Sequence, residues 1–271
     1  MPVTAFLYKT IPGRLLLKIL TAPAISKICG AFLDSPFSKI LIKPFVRANA
    51  IDLSDCFSDD FHCFNDCFSR RIKPGRRMID LTPSSLVSPC DSFLSVYEIG
   101  KDTVIPVKQS AYSLTRLLHS KKLAEKYYGG YCLVFRLCVN HYHRYVYFDS
   151  GNKGVNHFIA GKLHTVQPVA LEKIPVFTEN CREYTVMNTK NFGKAVQMEV
   201  GAMLVGKIKN HHGRHAFVRG EEKGCFMYGG STIILLLQKN RAVIDDKILA
   251  SSAKGKETPV RMGERIGRRS L

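Results

Sequence analysis

The chain has 271 residues, 45% of them hydrophobic and 23% charged, enough to bury a sizeable core in one large domain or in one domain with an extension. Forty Lys and Arg against 22 Asp and Glu leave a net charge of +18, which favours an anionic partner, either a membrane surface or nucleic acid. The start lacks the charged, apolar and small-residue order of a secretory signal, and the apolar stretches around Leu15, Ile25 and Ile40 are each broken by Lys or Arg within about ten residues, short of the ~20 that a spanning helix needs.

Residues 1–50 read as short helices. Leu15, Leu16, Ile19 and Leu20 recur near helical spacing, as do Phe37, Ile40, Leu41 and Phe45, and Pro12, Pro23, Pro36 and Pro44 divide them. Seven basic residues face a single acid, Asp34, in this stretch. An amphipathic, one-sidedly basic segment suits a membrane surface, although the same pattern also serves an ordinary helix packed on a domain. Phe57, Phe61, Phe64 and Phe68 then mark an aromatic helical stretch, closed by the turn signal Pro74-Gly75.

From Leu86 the pattern becomes short β segments between turns. Strands are expected over 94–99, 131–139, 144–148, 166–170, 184–188, 195–208 (two strands meeting near Gly201) and 232–237, with one helix over Ser113–Tyr127. The fold class is therefore α+β: a mostly antiparallel β core carrying short amphipathic N-terminal helices. The expected organisation is a membrane-surface segment over 1–50 and a core over 51–271. The nine cysteines fit reduced thiols, and Cys56, Cys63 and Cys67 lack the spacing of a zinc site.

Gly229-Gly230-Ser231-Thr232 leads into the apolar run Ile233–Leu237. A serine hydroxyl here can attack the carbonyl of the preceding glycine, turn the amide into an ester and, after elimination, leave a ketone at a new N-terminus; glycines permit the close approach that this needs. The same residues also make a plain turn. Asp91, in Ser88-Pro89-Cys90-Asp91, can orient an imidazole or cap a turn. His141 and His143, expected at the end of a strand and pointing the same way, suit a relay, a metal or a solvated edge; with no third ligand in reach, no metal is expected.

These elements together resemble the pyruvoyl-dependent phosphatidylserine decarboxylases. The likeness runs in consistent order through Phe64-Asn65, Phe68-Ser69-Arg70, Lys73-Pro74-Gly75-Arg76 and Ile79-Asp80, then Ser88-Pro89-Cys90-Asp91, Tyr112-Ser113-Leu114, Tyr142-His143-Arg144, Gly161-Lys162-Leu163, Val200-Gly201-Ala202, Gly224 with Phe226 and Gly229–Thr232, and Met262-Gly263-Glu264. The resemblance implies self-cleavage between Gly230 and Ser231 into a β-chain (1–230) and an α-chain (231–271). Ser231 becomes a covalent pyruvoyl group that takes the amine of phosphatidylserine as a Schiff base, so that phosphatidylethanolamine and carbon dioxide are released. It implies His143 as general base, and again as proton donor, with Asp91 as its orienter.

The implied partners are phosphatidylserine, an anionic membrane surface at the cytoplasmic face of the cell membrane, and the two fragments for each other. A homodimer is compatible, and nucleic acid is not expected, because the aromatics at 57–68 are better read as core. Alternatives are a pyruvoyl decarboxylase of another amino substrate, or a basic β-domain that binds membranes without catalysis. The chain departs from the family pattern at Val146, where a second histidine is usual, and at His141, Ser92 and Cys181, in place of Asp, Gly and Glu.

Overall fold

The computed structural model describes residues 10, 12–13, 16, 23–100, 104–107, 110–165, 175–202, 207–228 and 231–270. The strand expected over 166–170, most of the first expected helix, and both glycines ahead of Ser231 lie outside these residues.

The chain centres on an eight-stranded antiparallel sheet ordered β11-β7-β8-β9-β13-β5-β2-β15. Its strands are β2 (Ser92–Glu98), β5 (Tyr131–Leu137), β7 (Gly151–Ile159), β8 (Arg182–Thr189), β9 (Gly193–Val200), β11 (His215–Phe217), β13 (Ser231–Leu237) and β15 (Thr258–Val260). The innermost position of β13 follows from its sequence. Ser-Thr-Ile-Ile-Leu-Leu-Leu has no polar face after its first two residues, and a strand apolar on both sides is stable only when covered on both. It pairs with β5 from Ser231↔Leu137 to Leu237↔Tyr131, and with β9 from Thr232↔Val200 to Leu237↔Ala195.

Two cores cover the sheet. On one face Cys132, Val134, Val196, Met198, Ile234 and Leu236 pack against the helices α4 (Leu114–Leu118), α5 (Lys121–Ala124) and α6 (Val176–Glu179). On the other, Leu133, Phe135, Leu137, Ile233, Leu235 and Leu237 meet a second β layer. That layer consists of the sheet β1-β16-β14 (Ser85–Val87, Arg265–Arg269, Ala242–Ile244) and the sheet β10-β12-β6 (Ile208–Asn210, Glu222–Phe226, Arg144–Val146), while α7 (Asp246–Ala253) adds Ile248 to the same core. β3 (Val104–Val107) and β4 (Ser110–Ser113) form a separate hairpin.

The helix expected over 113–127 is broken. His119 takes a left-handed conformation (φ 51°) that ends α4, and the Ser120 hydroxyl caps α5 by accepting from the N–H of Leu123 at 3.2 Å. The strand pair expected over 195–208 also divides: β9 stays in the main sheet and β10 joins another. The aromatic stretch yields a single short helix, α3 (Phe64–Phe68).

The N-terminal helices are α1 (Pro23–Leu33), a 3-10 helix (Pro36–Leu41) and α2 (Ile42–Ala48). Leu33, Ile42 and Phe45 pack on Phe64, Phe68 and Tyr228. Their other side is open: Ile28, Phe32, Phe37, Ile40 and Leu41 are exposed, Phe37 by 83%. No helix among the described residues is long and apolar enough to cross a membrane.

Candidate active site

Ser231 is the first residue of β13 and is 1% exposed. Alternation along the strand puts its side chain on the face of Ile233 and Leu235, toward the second β layer. Its Oγ, and that of Thr232 beside it, are buried and have no hydrogen-bond partner among the described residues. A buried hydroxyl without a partner costs about 1–3 kcal/mol and so calls for a physical reason. Continuing the β9 register sets Gly201 opposite Ser231, and Asn180 fixes Gly201 there by donating to its carbonyl at 2.7 Å.

The approach to Ser231 is held from two sides. Phe226 ends β12, and its N–H donates to the carbonyl of His143 at 2.9 Å. Two residues on, the N–H of Tyr228 donates to Asn65 Oδ1 at 3.0 Å, and the Tyr228 ring packs edge-on against Phe64 and Phe68. The Phe64-Asn65 element is therefore a clamp on the segment that leads into Gly229-Gly230-Ser231. Asn65 and Asn180 hold the two segments that flank Ser231, and the sequence marks them only by their place within motif strings.

His143 is fully buried beneath that clamp, its ring 3.9 Å from the centroid of Phe68. Its Nδ1 lies 2.9 Å from the carbonyl oxygen of His141, so Nδ1 carries the proton and donates. Nε2 is then a lone-pair nitrogen, buried and without a partner among the described residues. Burial, followed by the nearby Arg70 guanidinium, holds the imidazole well below the ordinary histidine range, so it is neutral at neutral pH. His143 and Ser231 thus each carry a buried side-chain atom without a partner among the described residues.

Asp91 is claimed by other partners. Its carboxylate accepts from Arg77 Nε at 2.9 and 3.0 Å and from Arg77 Nη2 at 2.5 Å, and takes the N–H of Met262 at 2.8 Å. It makes no hydrogen bond to His143, whose Nδ1 is already committed to the His141 carbonyl. The expected Asp91–His143 pairing is therefore not formed. Asp91 instead faces a cleft of about 560 Å³ whose walls include Arg70, Arg77, Ser92, His141 and Arg261.

His141 precedes β6 in a turn and does not share a strand face with His143. Its Nδ1 accepts from the N–H of Cys138 at 3.1 Å, which leaves Nε2 as the protonated nitrogen. Burial lowers its pKa and the Asp91 charge opposes that shift. Val146 is buried among Tyr142, Met262, Ile72 and Ile79, and its own side chain can carry no proton.

Four sequence motifs line this cleft, through Arg70, Asp91, Tyr142 and Glu264. Ser88 exchanges backbone bonds with Gly263 and Glu264 (2.9 and 2.8 Å), and Asp80 donates to the Gly263 carbonyl at 3.0 Å. Gly263 sits at φ +85°, where a Cβ would lie 2.5 Å from the Met78 carbonyl oxygen, so both conformation and space require glycine.

Comparison with known proteins agrees with this convergence. The family model for phosphatidylserine decarboxylase matches residues 64–268. The phosphatidylserine decarboxylase proenzyme 2 of Clostridium acetobutylicum is 45% identical over 97% of this chain and 90% of its own length. Proenzymes of the same name from Ruminiclostridium cellulolyticum (42% identity, 96% of this chain, 89% of theirs) and Desulfitobacterium hafniense (40%, 94% and 87%) match to a similar extent. Because the family model spans 64–268, Ser231 included, and relatives at 40–45% identity match nearly the whole chain, the chain belongs to the phosphatidylserine decarboxylase family.

Proposed function

We propose that the chain is a proenzyme that cuts itself between Gly230 and Ser231 and then converts phosphatidylserine to phosphatidylethanolamine and carbon dioxide. The observation that carries this reading is the unpartnered, buried Ser231 Oγ at the head of the central strand. In the first step His143 Nε2 takes the hydroxyl proton, Oγ bonds to the Gly230 carbonyl carbon and the amide C–N bond breaks, leaving an ester and a free amine on residue 231. Loss of the Cα proton then expels the Gly230 carboxylate, and water replaces the nitrogen, which departs as ammonia. The pyruvoyl group so formed supplies an electron sink for the carboxylate being lost.

The remaining roles belong to the chain's own side chains. His143 is neutral and can return a proton in the buried layer. His141 presents Nε2–H at the cleft wall and is a second proton carrier. Asp91 positions Arg77 and the Met262 segment, keeping the cleft shaped. The cleft carries mixed charge, Arg70, Arg77 and Arg261 beside Asp52, Asp55, Asp91 and Glu264, with Arg77 already paired to Asp55 and Asp91.

The membrane side of this reading rests on the exposed Phe37, Ile40, Ile28 and Phe32, with Lys39, Lys43 and Arg47 exposed among them. Apolar side chains that enter the headgroup region beside basic ones suit peripheral binding to an anionic, cytoplasmic membrane face. The test is release of carbon dioxide from phosphatidylserine vesicles and from free serine. Turnover of vesicles by wild type, absent in Ser231→Ala, supports the reading; equal turnover of free serine would replace the lipid substrate with a soluble one.

A further inference from the structure

On the side of the molecule carrying β11, away from the cleft residues, the loop over 211–214 and the turn over 218–221 flank that strand, which pairs with β7 at the edge of the main sheet. Together they gather His212, His215 and Glu221, whose donor atoms all lie within 4.8 Å of one another. His215 Nε2 is 2.6 Å from Glu221 Oε1, and His212 Nε2 is 4.0 Å from the same oxygen. The two imidazoles stack, with centroids 3.8 Å apart and planes 10° from parallel. We infer that His212, His215 and Glu221 form a binding site for a divalent transition-metal ion of the zinc type, with water as the fourth ligand.

The chemistry of the set supports this. Two imidazoles and one carboxylate are the donors of a three-ligand zinc site that keeps an open position. Zinc bonds of about 2.0–2.2 Å in a tetrahedral shell place ligand atoms about 3.4 Å apart. The present separations from Glu221, 2.6 and 4.0 Å, fall on either side of that value. Occupation requires the rings to rotate out of their stack, because the in-plane lone pairs of two parallel rings do not meet at one ion. Metal binding also needs neutral imidazole.

The scaffold is already ordered. Glu221 Oε2 accepts from the Val218 N–H at 3.0 Å, which aims Oε1 at the histidines. The Glu221 carbonyl accepts from the Tyr147 N–H at 2.9 Å, and the His212 carbonyl is gripped by Lys153 Nζ at 2.7 Å and Asn156 Nδ2 at 3.2 Å. His211 is not part of the set, since its Nε2 is taken by Glu222 at 2.7 Å. The sequence reading looked for a third ligand beside His141 and His143; the fold supplies one for a different pair, through two loops that meet only after folding. An ion here would tie together the connections on both sides of β11, next to β12, the strand that leads toward Ser231.

The test uses untagged full-length protein, stripped with a chelator and titrated with zinc and then with cobalt. We expect one zinc per chain at micromolar concentration and a rise in melting temperature at saturation. Cobalt should give the visible bands of a four-coordinate nitrogen–oxygen site. His212→Asn with His215→Asn should lose at least a hundredfold in zinc affinity, while His211→Asn keeps it. Absence of uptake by wild type, or equal uptake by the double variant, would overturn the proposal. If the double variant does not fold, the cobalt spectrum of wild type decides: a thiolate charge-transfer band would place the ion on the cysteines and reject the site.

Discussion

Asn65 and Tyr228 are 163 residues apart in sequence, yet Asn65 Oδ1 accepts the backbone N–H of Tyr228 at 3.0 Å. Asn65 Nδ2 in turn donates to Asp34 at 2.8 Å. The short helix α3 thereby holds the chain three residues ahead of the serine that we propose as nucleophile. Asn65→Ala should slow self-cleavage at least tenfold and cost about 1–3 kcal/mol, because a buried N–H is left unpaired. Asn65→Asp keeps the Oδ1 acceptor and should cut faster than the alanine variant. A time course of the conversion of one band into two fragments after a pulse of expression checks both.

The buried imidazole sets a pH dependence. The folded pKa of His143 is well below its ordinary value of 6.5, so the unfolded chain takes up a proton near that pH and the folded one does not. Stability is then fully present above pH 6.5 and is lost as the pH falls below it, by up to about 1.4 kcal/mol per pH unit for each such group. His141 is shifted in the same direction. Urea unfolding of the wild type between pH 7.5 and 5.5 should show this slope, and His143→Gln should reduce it while also slowing cleavage by a factor of 100 or more.

Arg77 and Asp91 act as a unit. Both side chains are largely buried, at 16% and 10% exposure, and they share a two-pronged ion pair. Arg77→Met should destabilise the fold by about 3 kcal/mol, since it leaves a buried carboxylate without its cation. Asp91→Asn retains an acceptor for the Met262 N–H and should lose less stability than Asp91→Ala. A double-mutant cycle by urea unfolding should give strong coupling between positions 77 and 91 and none between 91 and 143.

Much of this was legible beforehand. The apolar run 233–237 announces a strand covered on both faces, and β13 takes the central position that such a strand needs. The motif strings mark the site because they converge: Ser88 bonds to Gly263 and Glu264, and Asp80 to Gly263. What the sequence hides are the partners. Asp91 and His143 each carry the chemistry for a relay, but only coordinates reveal that Arg77 and the His141 carbonyl claim them first. The αL break at His119 was hidden for a similar reason: Leu114, Leu117 and Leu118 continue a helical period, and a local cap at Ser120 overrides it. β7 was missed because Gly151-Asn-Lys-Gly-Val-Asn-His reads as loop, and pairing with β8 outweighs its low strand propensity.

The register of β13 predicts how the two fragments behave. Cleavage ahead of Ser231 would leave the short fragment paired with β5 and β9 through β13, with β2 through β15 and with β1 through β16. The fragments should therefore elute together in native size exclusion and separate only in denaturant. Dissociation in plain buffer would mean that the strand order is wrong.

The open face of the N-terminal helices should govern vesicle binding. Phe37→Ser together with Ile40→Ser removes two strongly exposed apolar side chains, at 83% and 77% exposure. Removing them should weaken binding to phosphatidylserine vesicles about tenfold or more, given about 1.5–3 kcal/mol for each fully buried side chain. Co-sedimentation with vesicles, with and without added salt, measures this, and salt should weaken the binding further.

The central claim is that the chain makes its own electrophile at position 231, and the intact mass of freshly purified wild-type protein tests it most directly. The account predicts two species, residues 1–230 and residues 231–271, the shorter one lighter by one ammonia than its encoded sequence and gaining a single adduct with a hydrazine. A single full-length mass that is inert to hydrazine would contradict it.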